Sequence, residues 1–227
     1  MMLAIIPARG GSRGLTRKNL RPLCGQPLIQ YTIDAARQTA AIDLSVVSTD
    51  DPEIAEIAGR QGVMVVDRPT DLASDTARSE AVVAHVLGLL REAGKLPDAF
   101  VLLQPTSPLR DSPILSLALT EYRETGASCM VSVCEVDHHP FKMFRERDGA
   151  LEPLFNVEQL STPRQQLPKV YRQNGAIYLM QTKLFLDHRS LFVPPVRPFL
   201  MDEAHSVDVD TLHDLQRCEQ LLRRKAP

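Results

Sequence analysis

Arg9, Gly10, Gly11, Ser12, Arg13, Gly14 and Lys18 follow directly on an apolar run, Ile5-Ile6-Pro7-Ala8, and residues of these types in this order suit the holding of a polyphosphate. Glycines have no Cβ, so the backbone can take φ > 0 and turn N–H groups toward phosphate oxygens. Arg9, Arg13 and Lys18 add mobile charge through charge-assisted hydrogen bonds worth roughly 1.5–3 kcal/mol each. Five basic residues and no acidic one lie between Arg9 and Arg21, whereas the whole chain sets 26 Lys and Arg against 28 Asp and Glu. The positive charge is local and calls for a local anion. The spacing is neither a dinucleotide fingerprint nor a P-loop, because Gly14 is followed by Leu15. A solvated surface turn is the competing reading of the loop taken alone.

A second group lies near the other end of the chain. In His205-Ser206-Val207-Asp208-Val209-Asp210, extended backbone would put Asp208 and Asp210 on one face and Val207 and Val209 on the other. Two such carboxylates can bracket a hard divalent cation, and Mg²⁺ takes one or two carboxylates plus water and substrate phosphates. Alternatively, Asp210 caps the last helix and Asp208 sits on the surface. Gln104 follows the apolar strand ending at Leu103, where ligands sit in parallel α/β sheets. Arg164, Arg172 and Asn174 form a further polar group, with Arg172 and Asn174 in phase on a strand and able to face one cleft. Arginines and amides suit a carboxylated, hydroxyl-rich ligand. His138 and His139 lack the companions of a metal site or triad and read as structural. Neither a Gly-x-Ser-x-Gly elbow nor an activated cysteine is apparent, so covalent catalysis is not expected.

The elements that must position these groups are legible in the hydrophobic pattern. Apolar runs at 3–6, 44–48, 63–66, 99–103 and 128–133 alternate with helix-period segments, the arrangement of a parallel sheet covered by helices. Asp51-Pro52-Glu53 reads as a helix start that Gly62 closes, and the same punctuation runs from Asp111 to Gly126. Residues 76–91 put Val82, Val83, Val86 and Leu90 on one helical face. Around His138 the rhythm breaks at Pro140, Gly149, Pro153, Pro163 and Pro168, which predicts an inserted arm over 137–168. Its short apolar runs need a second copy of the chain to cover them. The pattern resumes at 170–180, a strand at 197–201 and a helix at 211–224.

The chain has 227 residues, 44% of them hydrophobic, and a net charge of −2, enough for one large α/β domain and wrong for a general nucleic-acid or membrane-surface binder. Cys24, Cys129, Cys134 and Cys218 have no metal-ligand spacing and are expected to be buried reduced thiols. No apolar stretch approaches the ~20 residues that cross a bilayer, and residues 1–8 read as a first strand, so a cytoplasmic protein is expected.

Several stretches together resemble the cytidylyltransferases that activate nonulosonic acids, the CMP-sialic acid synthetase (N-acylneuraminate cytidylyltransferase) family. They are Ile6 to Gly14 with Lys18-Asn19, Val47-Ser48-Thr49-Asp50, Arg68-Pro69, Leu72-Ala73-Ser74-Asp75-Thr76, Leu103-Gln104-Pro105-Thr106-Ser107-Pro108-Leu109-Arg110, Arg164-Gln165-Gln166-Leu167-Pro168, Asn174-Gly175-Ala176-Ile177-Tyr178 and Asp208-Val209-Asp210. The resemblance implies one α/β domain over 1–227, a Rossmann-like, mostly parallel sheet flanked by helices of the GT-A-like nucleotidyltransferase type, with the arm serving a homodimer. It implies that Ala8, Arg9, Gly10, Gly11, Ser12, Arg13, Lys18, Asn19, Arg68 and Ser79 hold CTP, and that Gln104, Arg164, Arg172, Asn174 and Tyr178 face the nonulosonic acid. By the same resemblance Asp208 and Asp210 bind Mg²⁺. Thr16 and Arg13 depart from the family's usual proline and lysine.

The expected reaction is in-line attack of the anomeric hydroxyl of a 2-keto-3-deoxy acid sugar on the α-phosphorus of CTP, with Arg9, Arg13, Asp208 and Asp210 as the catalytic residues. Rival readings are a cytidylyltransferase for the eight-carbon acid Kdo, a glycosyltransferase using Asp208-Val209-Asp210 as its metal motif, and a silent nucleotide-binding module that regulates a partner.

Overall fold

The computed structural model describes residues 1–12 and 14–225. In chain order the elements are β1 (Met2–Pro7), β2 (Pro22–Leu23), β3 (Gln26–Pro27), α1 (Leu28–Arg37), β4 (Leu44–Thr49), α2 (Pro52–Arg60), β5 (Met64–Asp67), α3 (Ser79–Glu92), β6 (Ala99–Leu102) and α4 (Ser112–Thr125). There follow β7 (Cys129–Glu135), β8 (Phe144–Arg147), β9 (Ala150–Pro153), α5 (Val157–Ser161), β10 (Tyr171–Gln181), α6 (Thr182–His188), β11 (Arg197–Leu200) and α7 (Leu212–Lys225). Seven strands make one sheet in the order β11-β7-β10-β6-β1-β4-β5. Only β10 runs antiparallel to its neighbours, β6 and β7, so the sheet is mostly parallel.

Alternation along β1 explains the layers. Met2, Ala4 and Ile6 enter a core with residues of α1, α2 and α4, while Leu3 and Ile5 enter a second core with α3 and α6. Both faces of the strand are therefore buried, which is why its sequence is apolar throughout rather than alternating with polar residues. The helix punctuation works locally as expected. The Asp51 carboxylate accepts from the Glu53 and Ile54 N–H groups, Asp111 accepts from Ile114 N, and Gly126 closes α4 at φ 61°. The helix expected from residue 76 begins at Ser79, because 74–78 stays non-helical along a cavity wall.

Residues 137–168 carry a separate two-stranded hairpin, β8 with β9, and the short α5. His139 is a structural residue there. Its Nδ1 accepts from Phe141 N at 3.2 Å, Nε2 lies 3.0 Å from the Pro168 carbonyl, and its ring stacks edge-on against Phe141. Cys129, Cys134 and Cys218 are buried free thiols; Cys24 is exposed, because it occupies the left-handed turn between β2 and β3 at φ 47°. Among the described residues no helix is long and apolar enough to cross a membrane.

Candidate active site

The parallel strands β1, β4, β5 and β6 all end on one edge of the sheet, and the chain leaving β1 and β6 diverges at the point where strand order reverses. That divergence opens a crevice, the usual ligand site of an open α/β sheet. Here it is a cavity of about 390 Å³. Arg9, Gly11, Ser12, Gly14, Lys18 and Asn19 line it from the loop after β1, Arg68 from the end of β5, Ser79 from the start of α3, Gln104 and Thr106 from the loop after β6, and Asp208 and Asp210 from the segment before α7. Residues almost 200 positions apart in the chain thus share one wall.

A small third core brings the ends of the chain together. Leu15 from the glycine-rich loop, Leu109 from the loop after β6, Val207 and Val209, and Leu215 and Cys218 of α7 pack with Leu23 and Leu28. Burial of both valines turns the two aspartates to the cavity, as the alternation requires. Backbone bonding adds to the hold, since Val209 N donates to the Thr106 carbonyl at 2.8 Å. Asp210 is not the helix cap. Thr211 and Asp214 cap α7 reciprocally, Thr211 N donating to the Asp214 carboxylate at 2.8 Å and Asp214 N to Thr211 Oγ1 at 3.3 Å. The Thr-x-x-Asp spacing carried that signal in the sequence. Asp210 instead accepts from Lys18 Nζ at 2.8 Å.

In the loop, closeness rather than handedness explains the glycines. Neither Gly10 nor Gly11 has positive φ, contrary to the expectation, and the Gly10 N–H donates to the Asp50 carboxylate at 3.0 Å. Gly14 is required because a Cβ there would stand 2.6 Å from the Asp210 carbonyl oxygen. Arg9 reaches across to Asp75 at 2.5 Å, Asn19 Nδ2 donates to the Arg9 carbonyl at 2.9 Å, and Ser12 Oγ donates to the Leu15 carbonyl. Arg68 is buried and donates to the Ser48 carbonyl at 2.6 Å; burial lowers its pKa to about 10, against the opposing pull of Asp50. Ala8 is fully buried and donates its N–H to the Ser48 carbonyl. Arg13 lies outside the described residues. Asp50, Asp75 and Thr106 were given no role from sequence, because only the fold sets them against Gly10, Arg9 and Asp208.

The residues expected to face an acid sugar separate. Gln104 lines the cavity, and Gly175 at φ 78° leaves room for its carboxamide, since a Cβ would lie 2.8 Å from Gln104 Oε1. Tyr178 is 7% exposed, packs edge-on against Phe192, and has its hydroxyl pKa raised first by burial and then by Asp208 and Glu80. Arg164 donates to the carbonyls of Val136 and Asp137 at the base of the arm, away from this cavity, and Arg172 is exposed near the start of β10. Asn174 does not join Arg172 in a cleft. The β10–β7 ladder shifts between Gln173 and Tyr178, and Asn174 turns into the core at 2% exposure.

There Asn174 works at one remove from the cavity. Its Oδ1 accepts from Ser132 Oγ at 2.6 Å and from Ala176 N at 3.2 Å, and its Nδ2 donates to Ser206 Oγ at 2.8 Å. It therefore ties β7 and β10 to the start of the segment that bears the aspartates. Asn174→Ala should cost about 2–3 kcal/mol in a denaturant titration, because buried partners are left unpaired. A loss below 0.5 kcal/mol (roughly the level of a neutral surface change) would remove Asn174 from the framework.

The chain is similar to known proteins in sequence and in fold. A family model described as Cytidylyltransferase matches residues 3–199. The chain is 35% identical to a CMP-N,N'-diacetyllegionaminic acid synthase of Legionella pneumophila over 97% of this chain and 96% of that one. It is 31% identical to a pseudaminic acid cytidylyltransferase of Campylobacter jejuni, covering 94% and 93%. An N-acylneuraminate cytidylyltransferase of Escherichia coli is 32% identical over 99% of this chain, which spans 52% of that longer protein. In fold it is similar to a CMP:2-keto-3-deoxy-manno-octonic acid synthetase solved with CTP, with TM-score 0.73, 18% identity and 99% of both chains covered.

Proposed function

This chain belongs to the cytidylyltransferase family that includes those nonulosonic acid enzymes, and we propose that it transfers CMP from CTP to the anomeric hydroxyl of a 2-keto-3-deoxy nonulosonic acid of the sialic acid type, releasing pyrophosphate. The observation that carries the reading is the single cavity shared by the cationic loop, Gln104 and the two aspartates. In it Arg9 and Lys18 are paired with Asp75 and Asp210. A triphosphate would take over both cations, and Arg9 would neutralise the departing pyrophosphate. Arg68, fixed on the Ser48 carbonyl, would help complete the nucleotide end, and Gln104 would orient the acid sugar beside it.

The donor set also fits a magnesium ion. Among the described residues Asp208 Oδ1 is buried with no hydrogen-bond partner, Asp210 stands two residues on, and no group of three or more His, Cys, Asp and Glu is clustered as a metal cage. Two carboxylates with space for phosphate oxygens match a hard octahedral cation that retains water. Asp208 and Asp210 would hold it, and when bound it supplies charge neutralisation at the α-phosphate.

A homodimer is part of the same proposal. Leu151, Phe155 and Val157 of the arm are 68%, 56% and 67% exposed, an apolar surface that a second arm would cover. Sedimentation at micromolar concentration should give twice the 25.3 kDa chain mass; a monomer would sink the dimer. For the activity, pyrophosphate release from CTP is measured with Mg²⁺ over a panel of 2-keto-3-deoxy acids. Release with nonulosonic acids supports the reading, and turnover confined to the eight-carbon acid would replace it. CTP binding without turnover on any acid would leave a silent module.

A further inference from the structure

Arg110 has no part in the reaction so far described, yet among the described residues it heads the largest fully buried side chains, at 0% exposure. A guanidinium so placed is a costly residue for a core position unless its geometry is used. Its Nη2 donates to the Thr32 hydroxyl of α1 at 2.8 Å and reaches the Gln104 carbonyl at 3.4 Å, while Nε and Nη1 have no partner among the described residues. Burial lowers its pKa to about 10, so it remains a cation at neutral pH.

The Gln104 carbonyl also accepts from Ser107 N at 3.3 Å, and Arg110 N donates to the Ser107 carbonyl at 3.4 Å, so the 104–110 loop folds back on itself around that carbonyl. Gln104, Pro105 and Thr106 of this loop line the cavity. Gln104 packs its carboxamide against Gly175, and Thr106 lies beside Asp208 while its carbonyl receives Val209 N. Pro105 and Pro108 stiffen the loop but cannot attach it to α1. Leu109 of the loop shares a core with Leu28 at the start of α1, and Arg110 adds the polar attachment further along that helix at Thr32.

We infer that Arg110 is a positioning residue, which anchors the 104–110 loop on α1 so that Gln104 and Thr106 keep their places against Asp208. The kinetic part of this inference rests on the proposed cytidylyltransferase reading; the anchoring part does not. The bonds to Thr32 and the Gln104 carbonyl both leave the one Nη2 atom. A lysine ammonium has donors enough for both acceptors but ends on a different stem without the planar group that fills this buried space, so Arg110→Lys keeps the charge and loses the fit.

The test uses Arg110→Gln, Arg110→Lys and the near-isosteric Thr32→Val, which leaves the guanidinium in place should the arginine variants fail to fold. Hydrogen exchange of the Ser107 and Val209 amides should accelerate at least about tenfold in Arg110→Gln and Thr32→Val, with the amides of β1 and β4 unchanged. In steady-state assays, kcat/KM for the nonulosonic acid should fall roughly 10–100-fold in Arg110→Gln while KM for CTP stays within about twofold, and Arg110→Lys should fall between. Uniform acceleration of all amides, or unchanged exchange at Ser107 and Val209, would overturn the anchoring. Wild-type kcat/KM for the acid in a loosened loop would overturn its effect on the substrate. If the wild-type protein releases no pyrophosphate, the proposed function falls and the exchange measurements still decide the anchor.

Discussion

Arg9→Ala is expected to lower CTP turnover by about 10²–10³-fold, the usual consequence of removing one charged donor from a site where phosphate charge develops. The structure says why so little else should change. Arg9 stands at the mouth of the loop after β1, and its protein partners are the Asp75 carboxylate and, at 3.5 Å, the Ala73 carbonyl. Both belong to the segment between β5 and α3 and lie near solvent. An ion pair of this kind contributes only about 0.2–1 kcal/mol, so the variant should fold with near-normal stability. Loss of rate and loss of fold are then separable in one protein. Arg9→Lys should recover part of the rate, since the charge returns without the fork. Wild-type turnover in Arg9→Ala, measured by pyrophosphate release at saturating CTP, would take the loop out of the mechanism.

The second large effect moves activity and stability in opposite directions. Asp208→Asn should abolish at least about 99% of turnover in Mg²⁺, because an amide is a poor ligand for a hard cation. In the metal-free protein the same change should stabilise the fold by on the order of 1 kcal/mol, as replacements at strained functional positions often do. Burial raises the Asp208 pKa and Asp210 adds to it, while Thr106 and Lys18 work in the other direction. The folded protein therefore binds this proton more tightly than the unfolded chain does. Stability is lost as pH rises from the unfolded value through the folded one, and the whole cost is present at neutral pH. The gain in Asp208→Asn should accordingly be full at pH 7 and vanish in acid, below the unfolded carboxylate value. Thermal unfolding in chelator at both pH values measures this, with about 2–4 °C expected at neutral pH for a chain of this size. A variant less stable than wild type at pH 7 would show that Asp208 holds the fold together, and one with normal turnover would remove it from the metal.

Much of this was readable in the chain because local physics wrote it there. Asp51-Pro52 and Asp111 to Gly126 mark helix ends through bonds spanning a few residues, so the sequence signal and the structural cause are the same. Val207 and Val209 alternate with Asp208 and Asp210 because an extended backbone has a period of two, and the valines do enter a core. The glycine and arginine types of the first loop were enough to indicate an anion, and the ordered motifs were enough to indicate the family.

What the sequence could not determine depends on residues that meet only when the chain is folded. Asn174 and Arg172 look alike as polar residues two apart on a strand, yet a ladder shift and the left-handed Gly175 send Asn174 inside to Ser132 and Ser206. Gly14 looks like a turn residue, and its real constraint is a carbonyl 196 positions away, Asp210's. Arg110 is given no role by the sequence and is wholly buried against α1. Hydrophobic period and capping chemistry are short-ranged, so the sequence by itself determined the elements, the kind of ligand and the family. Burial and charge pairing are set by the total of distant neighbours, so only the tertiary structure decided which polar side chains meet in the cavity and which hold it in shape.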